Sequence, residues 1–149
     1  MSTKKLKLKI VTPEKLIFEE LVDEVIIPTT EGEIAVLPDH IPIIAGLASG
    51  DIVALVDGEN VPFAVVGGFV EVNKNEKDVT TVVILADFAE HIEHLTEEAI
   101  SQAKNKAEEL RKQAENNEVV DFEHFETELE RSLTRIKIAD KWRSRKYRK

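Results

Sequence analysis

At 149 residues the chain has room for one sizeable domain, or for a compact domain of about 90 residues with an appendage, and two large domains are excluded. Apolar residues make up 42% and charged residues 33%, a globular balance, and no stretch approaches the ~18 consecutive apolar residues that span a bilayer. With no cysteine, disulfides, zinc–thiolate centres and thiol nucleophiles are excluded. The formal charge of -9 hides an asymmetry: residues 141–149 hold six of the 20 basic residues and no acid, leaving 14 against all 29 acids in the remainder, a balance of -15. An acidic body repels phosphate backbones, so nucleic acid is not an expected partner.

Polar and apolar residues alternate strictly from Lys5 through Ile10, the period-two pattern of a strand with one wet face. The segment lacks the apolar stretch of a signal peptide and the Arg/Ser bias of a transit peptide, and Thr12-Pro13 ends it. Further short β-like runs cover residues 16–21, 24–27, 33–37, 41–47, 52–56, 61–66, 69–72 and 79–85. Turn chemistry separates them at Glu31-Gly32, Pro38-Asp39, Ser49-Gly50-Asp51, Asp57-Gly58 and residues 73–75. So many short strands predict an antiparallel sandwich or barrel, with no room for helical crossovers. Gly67-Gly68, inside an apolar run, is expected to mark a tight bend or bulge rather than a ligand contact.

After Asp87 the β-branched runs stop, and residues 87–95 read as a linker, dividing the chain into a sandwich over 1–87 and a two-helix domain with a basic tail over 88–149. Thr96 caps a helix whose first acids, Glu97 and Glu98, suit the helix dipole. Ala99, Ala103, Ala107, Leu110 and Ala114 fall on one face of it. Asn116-Asn117 breaks the pattern, Asp121 offers a second cap, and Phe122, Phe125, Leu129, Leu133 and Ile136 form the stripe of a second helix. The expected product is a helical hairpin. Its alanine stripe buries little area per residue, so at about 25 cal/mol per Å² it is held more weakly than the sandwich.

Catalytic signatures are missing: there is no P-loop, no GxGxxG and no HExxH. Ser49 in Gly46-Leu47-Ala48-Ser49-Gly50 stands one position away from a nucleophile elbow and has no helix after it, so a plain turn is expected. His91 and His94, beside Glu90 and Glu93, are three apart but lack a visible third ligand, and no metal is assigned. His40, between Asp39 and Ile41-Pro42, reads either as a structural histidine or as part of an interface.

Several segments jointly resemble the ε subunit of F-type ATP synthases, the counterpart of the mitochondrial δ subunit. They are Val11-Thr12-Pro13-Glu14, Glu24-Val25-Ile26-Ile27-Pro28, and the run from Glu31-Gly32-Glu33 through Leu37-Pro38-Asp39-His40-Ile41-Pro42 to Ile44. Gly67-Gly68-Phe69-Val70-Glu71-Val72 and Val82-Val83-Ile84-Leu85-Ala86-Asp87 complete them in order. The resemblance implies a non-catalytic rotor subunit of the central stalk that couples the catalytic head to the c ring. It also implies that Glu31, Gly32 and Glu33 face the c ring, and that Pro38, Asp39, His40 and Pro42 lie near the γ subunit. The helical hairpin is then expected to slow ATP hydrolysis by reaching the α and β subunits, with Arg135, Lys137, Lys141, Arg143, Arg145 and Arg148 meeting acidic β-subunit regions. For the basic tail, a solvated tail or contact with anionic lipid are the alternatives.

One departure matters. Many bacterial members bind ATP through Ile/Leu-Asp-x-x-Arg-Ala, and here the aligned stretch is Leu95-Thr96-Glu97-Glu98-Ala99-Ile100. Thr96 and Ala99 replace the Asp and Arg, and no cofactor is expected, since the phosphate-pairing fork of the arginine is lost. The resemblance further implies a peripheral place on the cytoplasmic face of the plasma membrane, with membrane contact only through the complex. Two other readings predict different features. A sugar-binding sandwich needs exposed aromatic platforms, yet aromatics are 5% of the chain and Trp142 lies in the tail. A nucleic-acid accessory protein needs the basic tail to bind alone.

Overall fold

The computed structural model describes residues 4–92, 97–115 and 122–146. Eight strands come first: β1 (Leu6–Val11), β2 (Leu16–Val22), β3 (Glu24–Thr29), β4 (Gly32–Val36), β5 (Ile43–Gly46), β6 (Gly50–Val56), β7 (Glu59–Lys74) and β8 (Thr80–His91). Two helices follow, α1 (Glu97–Glu115) and α2 (Phe122–Lys146). The chain divides into two compact units, Met1–His91 and Ile92–Lys149.

The strand order β2-β1-β8-β7-β6-β3-β4, with β5 also on β7, makes one sheet that folds over itself. β7 is the reason. Its first half pairs with β6, Gly50↔Val65 to Val56↔Glu59, and its second half pairs with β5, Ile43↔Val72 to Gly46↔Phe69, so one strand serves both layers. Between the halves Gly67 and Gly68 have φ of 61° and 115°. A Cβ on Gly68 would stand 2.0 Å from the Leu85 carbonyl oxygen, so this corner admits only glycine. The bend expected at the glycine pair is there, and it joins two predicted runs, 61–66 and 69–72, into one strand.

Alternation decides what is inside. Leu6, Leu8 and Ile10 of β1, Val25 and Ile27 of β3, and Val82, Ile84 and Ala86 of β8 are buried and share one core. Phe63, fully buried, meets Phe18 edge-on at 5.0 Å and the His91 ring at 4.9 Å between centroids.

One boundary and one strand direction differ from the sequence-based expectation. The division after Asp87 falls inside β8, which continues to His91 because Phe88, Ala89, Glu90 and His91 pair with Val66, Val65, Ala64 and Phe63. The sandwich is also not wholly antiparallel, since β1 runs parallel to β8, from Lys7↔Thr81 to Val11↔Leu85. These strands are joined through the whole domain, so no crossover helix is needed.

In the second unit Ile100, early in α1, packs with Ala139, late in α2, which makes the helices antiparallel, a hairpin; Ile92 packs against the pair. Ala103 and Leu110 are buried and Ala107 half-buried, as the α1 stripe predicts, while the side chains of Ala99 and Ala114 lie outside the described residues. The α2 stripe is different. Leu133 is 52% exposed, and Ser132, Thr134, Ile138 and Ala139 are the buried positions. At 100° per residue Ser132 and Ala139 share one face of α2, and Thr134 and Ile138 share another, so its buried positions do not form a single stripe. The predicted linker residues 93–95, the caps Thr96 and Asp121 and the break at Asn116-Asn117 lie outside the described residues.

Candidate functional site

Outward positions of the layer β2-β1-β8-β7-β5 follow from the register. Gly46, Phe69, Leu85, Val11 and Leu16 form one row across it, and Ile44, Glu71, Val83, Lys9 and Glu19 form the next. Side chains in such a row stand about 4.5–5.5 Å apart at Cβ. Ile44 is 77% exposed, Phe69 64% and Leu85 55%, so their outward side chains form a contiguous apolar patch on a rigid sheet. An aromatic ring and two branched aliphatics held this way are the makings of a docking face. The patch is legible in Gly67-Gly68-Phe69-Val70-Glu71-Val72 once Val70 and Val72 are taken as core, because alternation then turns Phe69 outward.

The ends of the sandwich carry the two predicted loops. At one end Thr30 donates its backbone N–H to Gly46 O (3.0 Å) and Leu47 donates to Gly68 O (2.9 Å). Glu31, Gly32 and Glu33 are exposed there. Gly32 has φ of 117°, the Thr29 hydroxyl donates to its carbonyl, and Glu31 N–H donates to Thr29 Oγ1 at 3.2 Å. β4 carries the chain to the other end, roughly 17 Å at strand rise.

That second end is tied by charge. Asp39, at φ 73°, takes Lys4 at 3.0 Å and Lys74 at 3.1 Å on its two oxygens, while its N–H donates to Thr80 Oγ1 at 2.7 Å. The hydrogen bond from Lys4, then that from Lys74, holds the Asp39 carboxyl below its ordinary pKa, and the bond to Asp39 raises that of the Lys74 ammonium. Beside them Lys5 bridges Asp57 at 2.8 Å and Asp23 at 3.6 Å, and the bond to Asp57 raises its pKa. His40 donates its N–H to Leu37 O (3.1 Å) and its Nδ1–H to Ile41 O (2.6 Å), so its ring is a brace for the turn. Pro38 is half-buried and Pro42 exposed, and Ile41 beside it is 71% exposed.

Other candidates separate. Ser49 is exposed in the turn between β5 and β6, with a strand after it. His91 ends β8, and His94 lies outside the described residues, as does Arg148. In α2 Arg135 is half-buried and Lys137 exposed, two positions that point to different sides of a helix. Lys141 places Nζ 5.9 Å from the centroid of the Trp142 ring, and the side chains of Arg143 and Arg145 lie outside the described residues. Thr96 is likewise outside them. No helix among the described residues is long and apolar enough to cross a membrane.

A bent β-sandwich that displays an apolar face and two braced loops, followed by a helical hairpin, defines a two-unit protein of the β-then-α class. Comparison with known proteins supplies the particular family. The family profile described as "ATP synthase, Delta/Epsilon chain, beta-sandwich domain" matches residues 5–92. An ATP synthase epsilon chain from Nitratidesulfovibrio vulgaris is 38% identical over 135 residues, covering 91% of this chain and 96% of its own. Another from Dehalococcoides mccartyi is 39% identical over 141 residues, covering 93% and 95%. The chain therefore belongs to the ATP synthase delta/epsilon family, as an epsilon chain of the F-type enzyme and hence a non-catalytic subunit of it. A chain in the Euglena gracilis mitochondrial ATP synthase structure containing OSCP, F1 and the c ring has the same fold, with a TM-score of 0.62 at 23% identity, covering 96% of this chain and 82% of that one.

Proposed function

We propose that this chain is the coupling piece of the central stalk: the sandwich grips the γ subunit and rests on the c ring, and the helical hairpin slows ATP hydrolysis. The observation that carries the coupling role is the exposed apolar face around Ile44, Phe69 and Leu85, built on a sheet whose two layers share β7. A stator or rotor part must transmit torque without yielding, and a doubly layered sheet with a buried core does so better than a hinged pair of helices. In this reading γ covers the apolar face and the turn Pro38, Asp39, His40 and Pro42, while Glu31, Gly32 and Glu33, about one strand length away, reach the polar loops of the c ring.

For the hairpin, the small side chains among the buried positions of α1 and α2 support a loosely held element that can change place. Arg135, Lys137, Lys141, Arg143, Arg145 and Arg148 are the charges through which it would meet acidic regions of β, and added salt would weaken that brake. Tight ATP binding is not part of the proposal, because Thr96 and Ala99 stand where the phosphate-binding pattern has Asp and Arg. The site of action is peripheral, on the cytoplasmic face of the plasma membrane, with membrane contact only through the complex.

The test is ATP hydrolysis by the cognate complex stripped of this chain, after adding back either the whole chain or a version ending at Ile92. Rebinding of both with slowing only by the whole chain is the expected result. Rebinding of both without slowing would leave a coupler with no brake, and failure of both to rebind would overturn the stalk role.

A further inference from the structure

We infer that Glu71 is the charged anchor of the docking face, built to receive one basic side chain, an arginine by geometry, from the stalk partner; this rests on the coupling role proposed above. Glu71 stands between Ile44 and Val83 in its row, with Phe69 two residues back on the same strand and the same side. Its surroundings are thus apolar on three sides. The other charges of that row are already matched, because Glu19 takes Lys9 at 3.7 Å and also Lys7 from the row beyond at 3.6 Å. Glu71 is exposed and pairs with no cation among the described residues.

A shallow cavity of about 230 Å³ opens directly beside it, lined by Glu71, Asn73, Lys74, Asn75, Thr81 and Val83. The one cation in that lining is occupied, since Lys74 reaches Asp39 at 3.1 Å and Asp78 at 3.5 Å. The free end of the site is therefore acidic, and its length suits a long side chain. An arginine laid along it would rest its aliphatic stem on Val83 and Thr81 and bring its planar fork to the Glu71 carboxylate, with the Phe69 ring on its flank. Covering a carboxylate with an apolar partner surface and no cation would strand a buried charge, so a partner that fits this face must supply one. The apolar ring would then exclude water from the pair, the arrangement in which a charge contact discriminates between partners.

The test measures rebinding of the full-length chain to the stripped complex at low and at physiological salt, for the parent, Glu71→Gln, Glu71→Lys and the control Glu59→Gln, which lies at the exposed start of β7. Glu71→Gln should weaken binding by about thirtyfold or more, Glu71→Lys further, and Glu59→Gln by less than about twofold. Because a desolvated pair is poorly screened, the ratio of parent to Glu71→Gln should persist as salt rises. Binding of Glu71→Gln within about twofold of the parent, or a ratio that collapses with salt as for a remote charge, would overturn the anchor while leaving the coupling role intact. Failure of the parent itself to rebind would remove the coupling role and the anchor with it. Self-association of the isolated chain that Phe69→Ser abolishes, without rebinding, would assign the face to a second copy and overturn both.

Discussion

The two units of the chain hold themselves together by different means. In the sandwich Leu, Ile, Val and Phe side chains from every strand meet in one core, and Phe63 alone touches aromatic rings from β2 and β8. In the two helices the buried positions are largely small or hydroxylated, Ala103, Ser132, Thr134 and Ala139, with Ile100, Leu110 and Ile138 as the larger apolar groups. Packed large side chains bury more apolar area per residue and leave larger holes when cut. The difference teaches that, residue for residue, the sandwich is held more firmly than the helix pair.

The comparison breaks or sharpens under four changes. Gly68→Ala should be the most damaging, roughly 3 to 5 kcal/mol, since it places a methyl against the Leu85 carbonyl and strains a φ of 115°. Urea unfolding followed by the far-ultraviolet β-sheet signal reads it, and a loss under about 1 kcal/mol would mean the corner can move. Next, a chain cut after Asp87 should lose about 2 to 4 kcal/mol of sandwich stability relative to one cut after Ile92, because it removes the partners of Phe63, Ala64, Val65 and Val66. Equal midpoints for the two truncations would show that the end of β8 is dispensable.

Leu110→Ala should come third, weakening the helix pair by about 2 kcal/mol, the low end for a buried leucine. Amide exchange should quicken in α1 and α2 and remain slow in β1 and β8. Equal quickening in the strands would show that the units stand or fall together. Smallest of all is Asp39→Asn, which keeps a residue tolerant of φ 73° and deletes two exposed ion pairs. The folded pKa of Asp39 lies below its unfolded value, so its contribution is present above the ordinary carboxylate range and is lost as pH falls through the lowered value. Melting curves of parent and variant should therefore differ at neutral pH and converge in acid; a gap that widens in acid would contradict the pairing.

Much of this was legible in residue order. Strict alternation from Lys5 to Ile10 names the buried side chains of β1, and the glycine pair marks the corner. Two things were not. Where β8 stops depends on Ala89 packing into the core and on its pairing with Val65, a contact made across the sheet that leaves little trace in the Asp87-Phe88-Ala89-Glu90 sequence. The exposure of Leu133, one member of the stripe expected in α2, was the other, because periodicity reveals that a helix has an apolar side, not which of its positions a neighbour will cover. As for the apolar face, its separate pieces were visible in the Gly67-Gly68-Phe69 segment, but only strand register brings Ile44, Phe69 and Leu85 together.

Pairing β1 with β8 also has a temporal side. The first strand of the sandwich has no complete seat until the last one has been synthesised, so the domain closes late and through long-range contacts, the slow route for a β fold. The helices, by contrast, form from neighbours in sequence and are ready almost as soon as they emerge. A newly made chain thus passes through an interval in which the apolar strands are exposed and unfinished, and it is during synthesis, more than in the working complex, that this subunit is most open to aggregation.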